Sequence, residues 1–100
     1  MTSPTYKFKS EIWEYPGKAA WYFVTLPTKL GQQIRNEFGD LAAGFGSLPV
    51  KVKLKQVEWD TSIFPDKKSS SYVLPLKAKV RKAAQVKVSD TINIEIKIKI

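Results

Sequence analysis

The chain contains no cysteine and no histidine. The first absence removes disulfides, thiolate nucleophiles and thiolate metal ligands together. The second removes the commonest metal ligand and the usual general base near neutral pH. Zinc, haem and triad chemistry are thereby set aside, and neither a cofactor nor a metal is expected. Arginine is scarce as well: fifteen of the seventeen cations are lysine. Lysine is the residue that keeps sheet edges soluble, whereas arginine's planar fork is the better instrument for phosphate and base recognition. No uncharged apolar stretch approaches the ~18 residues of a membrane span. The N-terminal segment lacks the apolar run of a signal peptide. The expectation is therefore a cytoplasmic protein without a membrane partner.

What is present suits one domain over 1–100, with a core at about 6–99 and residues 1–5 as a flexible N-terminus. The 100 residues are 43% hydrophobic, enough for a core that buries roughly two-thirds of the unfolded surface. The net charge is +8 and uneven: residues 1–49 carry five basic and four acidic side chains, residues 50–100 twelve and five. Such asymmetry suggests one basic face that attracts an anionic partner.

Periodicity then divides the chain. Tyr6, Phe8, Ser10 and Ile12 alternate with Lys7, Lys9, Glu11 and Trp13, a first strand. Tyr15-Pro16-Gly17-Lys18 is a turn, and Ala20–Leu26, apolar on both faces, reads as a central strand. Pro27 ends it, Thr28 is placed to cap a helix, Leu30, Ile34 and Phe38 form its apolar stripe, and Gly39 is its expected stop. Gly44 and Gly46 bracket Phe45 in a tight loop. Val50, Val52 and Leu54 alternate with lysines, then the phase slips to Val57 and Trp59, which suggests a bulge at Lys55-Gln56. Asp60–Ser71 reads as a polar connection, Tyr72–Leu76 as a short strand, and Lys77–Ala84 as a helix with Val80, Ala83 and Ala84 on one side. Ile92, Ile94, Ile96, Ile98 and Ile100 alternate with polar residues in the last strand. The tetrapeptide Leu-Pro-x-Lys occurs at Leu26-Pro27-Thr28-Lys29 and again at Leu74-Pro75-Leu76-Lys77, each time between strand and helix. The expected fold is mainly β with two short helices: a small double-split pseudo-barrel of two related β-β-α-β halves. A doubly wound parallel sheet is disfavoured by the short connections.

Several segments together resemble a known family. They are Trp21-Tyr22-Phe23-Val24-x-Leu26-Pro27, Trp59-x-Thr61-Ser62-Ile63-Phe64-Pro65, Tyr72–Ala83 and Val88-x-Asp90. In this order they are similar to the uncharacterised prokaryotic family called domain of unknown function nineteen-oh-five, over about residues 6–99. The resemblance implies a double-split β-barrel of the class shared with antitoxin-type and transition-state-regulator DNA-binding domains; it implies no activity, and fold does not fix function. Ser89 stands where that family usually has glycine, which puts the local turn type in question.

Two candidate sites follow. On the second helix Lys77 and Arg81 form an i, i+4 like-charge pair, Lys77 lies against the helix dipole, and Lys79 and Lys82 enlarge the cluster. An anion docked there would offset the repulsion; the plainer alternative is a solvated basic face, or a pair with Asp90 or Asp66. The other candidate runs from Trp59 through Ser62 and Phe64 to Lys67 and Lys68, where aromatics among cations would stack bases in a single-strand groove. Its alternative is that Trp59 and Phe64 fill the barrel while Ser62 bonds a turn. Glu58 and Asp60, with Glu11 nearby, are a weak acid–base constellation without nucleophile or metal ligands. The leading expectation is a non-enzymatic binding or interaction module with a basic surface. One alternative is a nucleic-acid-binding protein using the second helix and Lys51, Lys53 and Lys55. Another is an anionic-ligand-binding or catalytic domain using the pocket between its halves. The partner, an anionic ligand, nucleic acid or another protein, and the choice between monomer and homodimer are left open by the sequence.

Overall fold

The computed structural model describes residues 4–17, 21–42 and 44–99. The strands are β1 (Thr5–Glu11), β2 (Trp13–Glu14), β3 (Tyr22–Thr25), β4 (Leu48–Leu54), β5 (Val57–Asp66), β6 (Ser71–Pro75) and β7 (Thr91–Ile98). The helices are α1 (Thr28–Phe38) and α2 (Ala78–Ala84), and short 3-10 turns cover Gly39–Leu41 and Gly44–Gly46. All strands join one antiparallel sheet in the order β1-β7-β4-β5-β6-β3-β2, curled into a half-barrel.

Two stretches of chain are split between the two leaves of this sheet. β5 pairs with β4 up to Ile63 and with β6 from Phe64 onward. β1 pairs with β7 and β2 with β3, with only Ile12 between them. Ile12 is buried and bonds across to the turn before β7, its N–H donating to the Asp90 carbonyl and its carbonyl accepting from Ser89 N–H. Each half thus reads β-β-α-β, as the sequence suggests. The inner face follows from alternation: Val50, Val52 and Leu54 on β4, and Ile92, Ile94, Ile96 and Ile98 on β7, are all buried. Each such side chain taken out of water contributes at about 25 cal/mol per Å² of apolar surface to closing the sheet.

The halves meet about a pseudo-twofold axis at the Val24–Leu74 strand pair. Leu26 N–H donates to the Tyr72 carbonyl and Leu76 N–H to the Tyr22 carbonyl, 2.9 and 2.8 Å. The structural repeat therefore relates residues fifty positions apart: Tyr22 to Tyr72, Leu26 to Leu76, Thr28 to Ala78. The Leu-Pro-x-Lys copies are forty-eight apart and so out of register with it. Pro27 is the N-cap of α1, whereas Pro75 still belongs to β6, and Lys77 occupies the matching N-cap.

Other expectations are corrected by the structure. Lys55-Gln56 is no bulge but the two-residue turn of the β4–β5 hairpin, with Leu54 paired to Val57 and Lys55 at φ 57°. A turn and a bulge shift the alternation alike, so the phase slip alone does not separate them. Lys55 Nζ also donates to the Ala84 carbonyl at the end of α2, 2.9 Å, where a cation suits the helix dipole. Asp60–Asp66 is strand rather than loop, and the connection shrinks to a turn over 67–70, with the Asp66 carboxylate accepting from Ser69 N–H and Oγ. Thr28 does not cap α1; its hydroxyl donates to the Ser69 carbonyl. Gly39 stays right-handed and leads into the 3-10 turn. Ala83 is exposed, leaving Val80 and Ala84 as the buried face of α2. Thr5 belongs to β1, and Ile98 N–H donates to the Pro4 carbonyl. Residues 1–3, Lys18, Ala20 and Ile100 lie outside the described residues.

Ser89 does take the left-handed conformation, at φ 75°, in a turn closed by the Asp90 carboxylate, which accepts from Lys87 N–H. That bond and the Lys87 charge hold the Asp90 carboxyl below its ordinary range. The turn type is therefore the glycine type, held by a serine. A Cβ is unfavourable at positive φ by about 1 kcal/mol, so Ser89→Gly is expected to stabilise the domain. A thermal melt should rise by roughly 3–6 °C; a fall would show that the serine side chain stabilises the turn.

Candidate functional site

The outer surface of the sheet changes character along its width. On the β1-β7-β4 side the outward residues are Lys7, Lys9, Lys51, Lys53, Glu95 and Lys97. These charges are partly matched: Lys7 pairs with Glu95 at 3.8 Å and Lys99 with Asp60 at 3.5 Å. An open cleft of about 500 Å³ lies here, between Lys7, Lys9, Lys53, Lys55, Asn93 and Glu95. Exposed pairs of this kind contribute roughly 0–1 kcal/mol each, and a lysine-rich outer face is what a soluble sheet ordinarily shows.

On the β2-β3-β6 side the outward residues are apolar apart from Thr25, whose hydroxyl accepts from Trp13 Nε1 at 2.9 Å. The register sets Trp13, Phe23 and Pro75 in one row across the sheet, and Thr25, Val73 and Phe64 in the next. All point away from Val24, Leu74 and Ile63, which are buried beneath. Trp13 and Phe23 pack with ring centres 5.1 Å apart, and Tyr15 leans on Phe23 and Trp21 at 6.3 and 6.0 Å. Trp21 is 55% exposed and Phe64 40%. A groove of about 470 Å³ runs over this face, bordered by Trp21, Phe23, Phe64, Val73, Pro75 and Lys77. It spans the junction of the two halves, since β3 comes from one and β6 from the other.

The sequence reading of Ala20–Leu26 as apolar on both faces is correct in composition and incomplete in consequence. The stretch narrows to β3, and only its Val24 side faces the core; its other side is left open. Phe64 likewise does not fill the barrel. Trp59 does pack against the core, half-buried, and Ser62 lies in β5 opposite Pro49, with no hydrogen bond of its side chain among the described residues. An unbroken run of aromatics in a strand with a proline at its end was the available signal for the groove.

The cations of the second helix have different surroundings. Arg81 is half-buried: its Nε donates to the Leu76 carbonyl at 3.0 Å, and its guanidinium lies 3.9 Å over the Tyr22 ring. It therefore supports the groove floor from behind, through two residues that line it. Lys77 precedes the helix rather than lying in its first turn and reaches the groove rim. Lys79 and Lys82 are exposed, and among the described residues neither they nor Lys77 make an ion pair. Asp90 is taken by Lys87 and Asp66 by Ser69. Lys67 and Lys68 stand in the turn before Ser71, at the opposite end of β6 from Lys77, so about 13 Å of strand separates the two clusters. Glu58 and Asp60 face Lys53 and Lys51 across the hairpin, and Glu11 is on β1, three strands away. Among the described residues no three carboxylates gather where a metal would sit, and no helix is long and apolar enough to cross a membrane.

No curated protein matches the chain. A family model described as "Domain of unknown function (DUF1905)" matches residues 8–96, a stretch that takes in both halves of the sheet, both helices and every residue bordering the groove. The chain belongs to that family.

Proposed function

We propose that this domain is a non-enzymatic binding module that receives its partner on the outer face of β3 and β6. The observation that carries this reading is a tryptophan and a phenylalanine left in solvent on a sheet face, with Lys77 at the rim. Burying such side chains is worth roughly 1.5–3 kcal/mol each, and exposed apolar patches rimmed by polar groups mark interaction sites. The lysines of the β1-β7-β4 face need no such explanation. Glu58 and Asp60 face Lys53 and Lys51 across the hairpin rather than the groove, which favours binding over acid–base chemistry.

An aromatic sulfonate dye, 1-anilinonaphthalene-8-sulfonate, tests the reading because it joins a planar apolar body to an anion. The folded protein should bind it, and Trp21→Ala combined with Phe64→Ala should weaken binding by about tenfold or more. Lys7→Ala with Lys53→Ala should leave it unchanged. Dye binding that ignores the aromatic pair, or no binding at all, would remove the groove from consideration.

A further inference from the structure

We infer that the groove takes single-stranded nucleic acid, with bases stacked on Trp21 and Phe64 and the backbone passing Lys77. This rests on the reading of the groove as the binding site and names its occupant.

The groove floor offers no free backbone. β3 lies between β2 and β6, and β6 lies between β5 and β3, so an extended peptide cannot add a strand there. Recognition must run through side chains, and those available are flat. Phe23 and Phe64 lie in neighbouring rows of the sheet, and Trp21 lies one row beyond Phe23, where its carbonyl accepts from Tyr15 N–H. With rows two residues apart and strands about 4.8 Å from their neighbours, Trp21 and Phe23 stand roughly 7 Å apart along the chain, and Phe23 and Phe64, two strands over, roughly 12 Å apart. That spacing suits bases splayed along a strand rather than the closed stack of a duplex.

Charge narrows the choice further. The chain carries +8, with Lys77 at one end of β6 and Lys67 and Lys68 at the other. A second copy of the chain would bring two such charges together and be repelled, whereas a polyanion would be drawn in. Every base has a π-face, so stacking on these rings would be tolerant of sequence. Arg81, held on the Leu76 carbonyl and the Tyr22 ring, acts as a positioning residue and not as a phosphate contact.

The test is fluorescence anisotropy with a labelled oligothymidylate of about 12 nucleotides, within the length a small stacking groove tracks. Its duplex and free thymidine monophosphate serve as comparison arms. The single strand should bind at least about tenfold more tightly than the duplex. Trp21→Ala with Phe64→Ala should weaken it by at least roughly thirtyfold, the product of two stacked bases at about fivefold or more each. With about three phosphate contacts, affinity should fall roughly twentyfold between about 50 and 200 mM salt, and Lys77→Ala should reduce that dependence. Both aromatics are exposed, and unchanged melting temperatures would confirm that the variants fold. Equal binding of duplex and single strand, oligonucleotide affinity indifferent to the aromatic variant, or preference for the mononucleotide would each overturn the inference. If the sulfonate dye occupies the groove and the oligonucleotide does not, the occupant is wrong and the binding module stands. If neither binds, both fall.

Discussion

Truncating Leu74 to alanine is expected to destabilise the domain by about 3–4 kcal/mol and to lower its melting temperature by roughly 15–20 °C. Leu74 is fully buried and sits opposite Val24 at the point where the two halves meet. Its removal takes apolar contacts from both halves at once, and the flanking strand pairs hold the backbone in place, so the cavity has little room to collapse. Domains of this size have only about 5–15 kcal/mol in total. The pseudo-symmetry adds a condition: Leu26→Ala and Leu76→Ala, at matching positions and both 1% exposed, should cost the same to within about 1 kcal/mol. Circular dichroism melts of the three variants check this. A loss below about 1 kcal/mol at Leu74, or a large inequality between Leu26 and Leu76, would mean that the halves do not share one core at this axis.

The second large effect is expected at Gly31. α1 crosses β6 there, and a Cβ added to Gly31 would overlap Ser71 Oγ and lie 2.8 Å from Ser71 Cβ and 2.9 Å from its Cα. Ser71 cannot turn aside at no cost. It is 2% exposed, and its hydroxyl donates to the Leu26 carbonyl at 2.8 Å. Gly31→Ala would gain about 1 kcal/mol of helix propensity against an overpacking cost of about 3 kcal/mol, because backbone must move. The net loss is about 2 kcal/mol, read as a fall of roughly 10 °C in the melting temperature. The double variant Gly31→Ala, Ser71→Gly should regain part of that, since it removes the clashing Oγ and Cβ while the Cα at 2.9 Å remains. A single variant that melts higher than the parent would show that the helix is not seated on β6 as described.

The fold was legible where one periodicity ruled a segment. The isoleucines of β7 and the valines of β4 have a single buried face, so alternation suffices to place them. The order of elements and the two-half plan followed from the same reasoning. Misreadings fell where two local structures produce the same pattern. A hairpin turn and a bulge both shift the phase at Lys55-Gln56. A twisted strand that changes partners midway shows the broken alternation of a loop, which hid the second half of β5. The repeated Leu-Pro suggested symmetry correctly, but with a register two residues off, because the backbone pairing of Tyr22, Leu26, Tyr72 and Leu76 fixes the axis and proline does not.

The groove was only partly legible. Lys77 and Arg81 are conspicuous by charge, yet the structure binds Arg81 to Leu76 and Tyr22 and brings only Lys77 to the groove. Trp21, Phe23 and Phe64 are conspicuous by size, and large apolar side chains are ordinarily assigned to a core. Whether an aromatic on a strand faces inward or outward depends on pairing between segments distant in sequence, here Trp13 with Phe23 and Phe64 with Val73. No window along the chain contains that information.

The most direct measurement is an amide and indole chemical-shift titration of the intact domain with the same short oligothymidylate. Perturbations should gather on Trp21, Phe23, Phe64, Val73 and Lys77, with the Trp21 indole N–H among the largest. Perturbations confined instead to Lys7, Lys9, Lys53 and Lys55 would place binding on the lysine face and contradict the assignment of the aromatic groove.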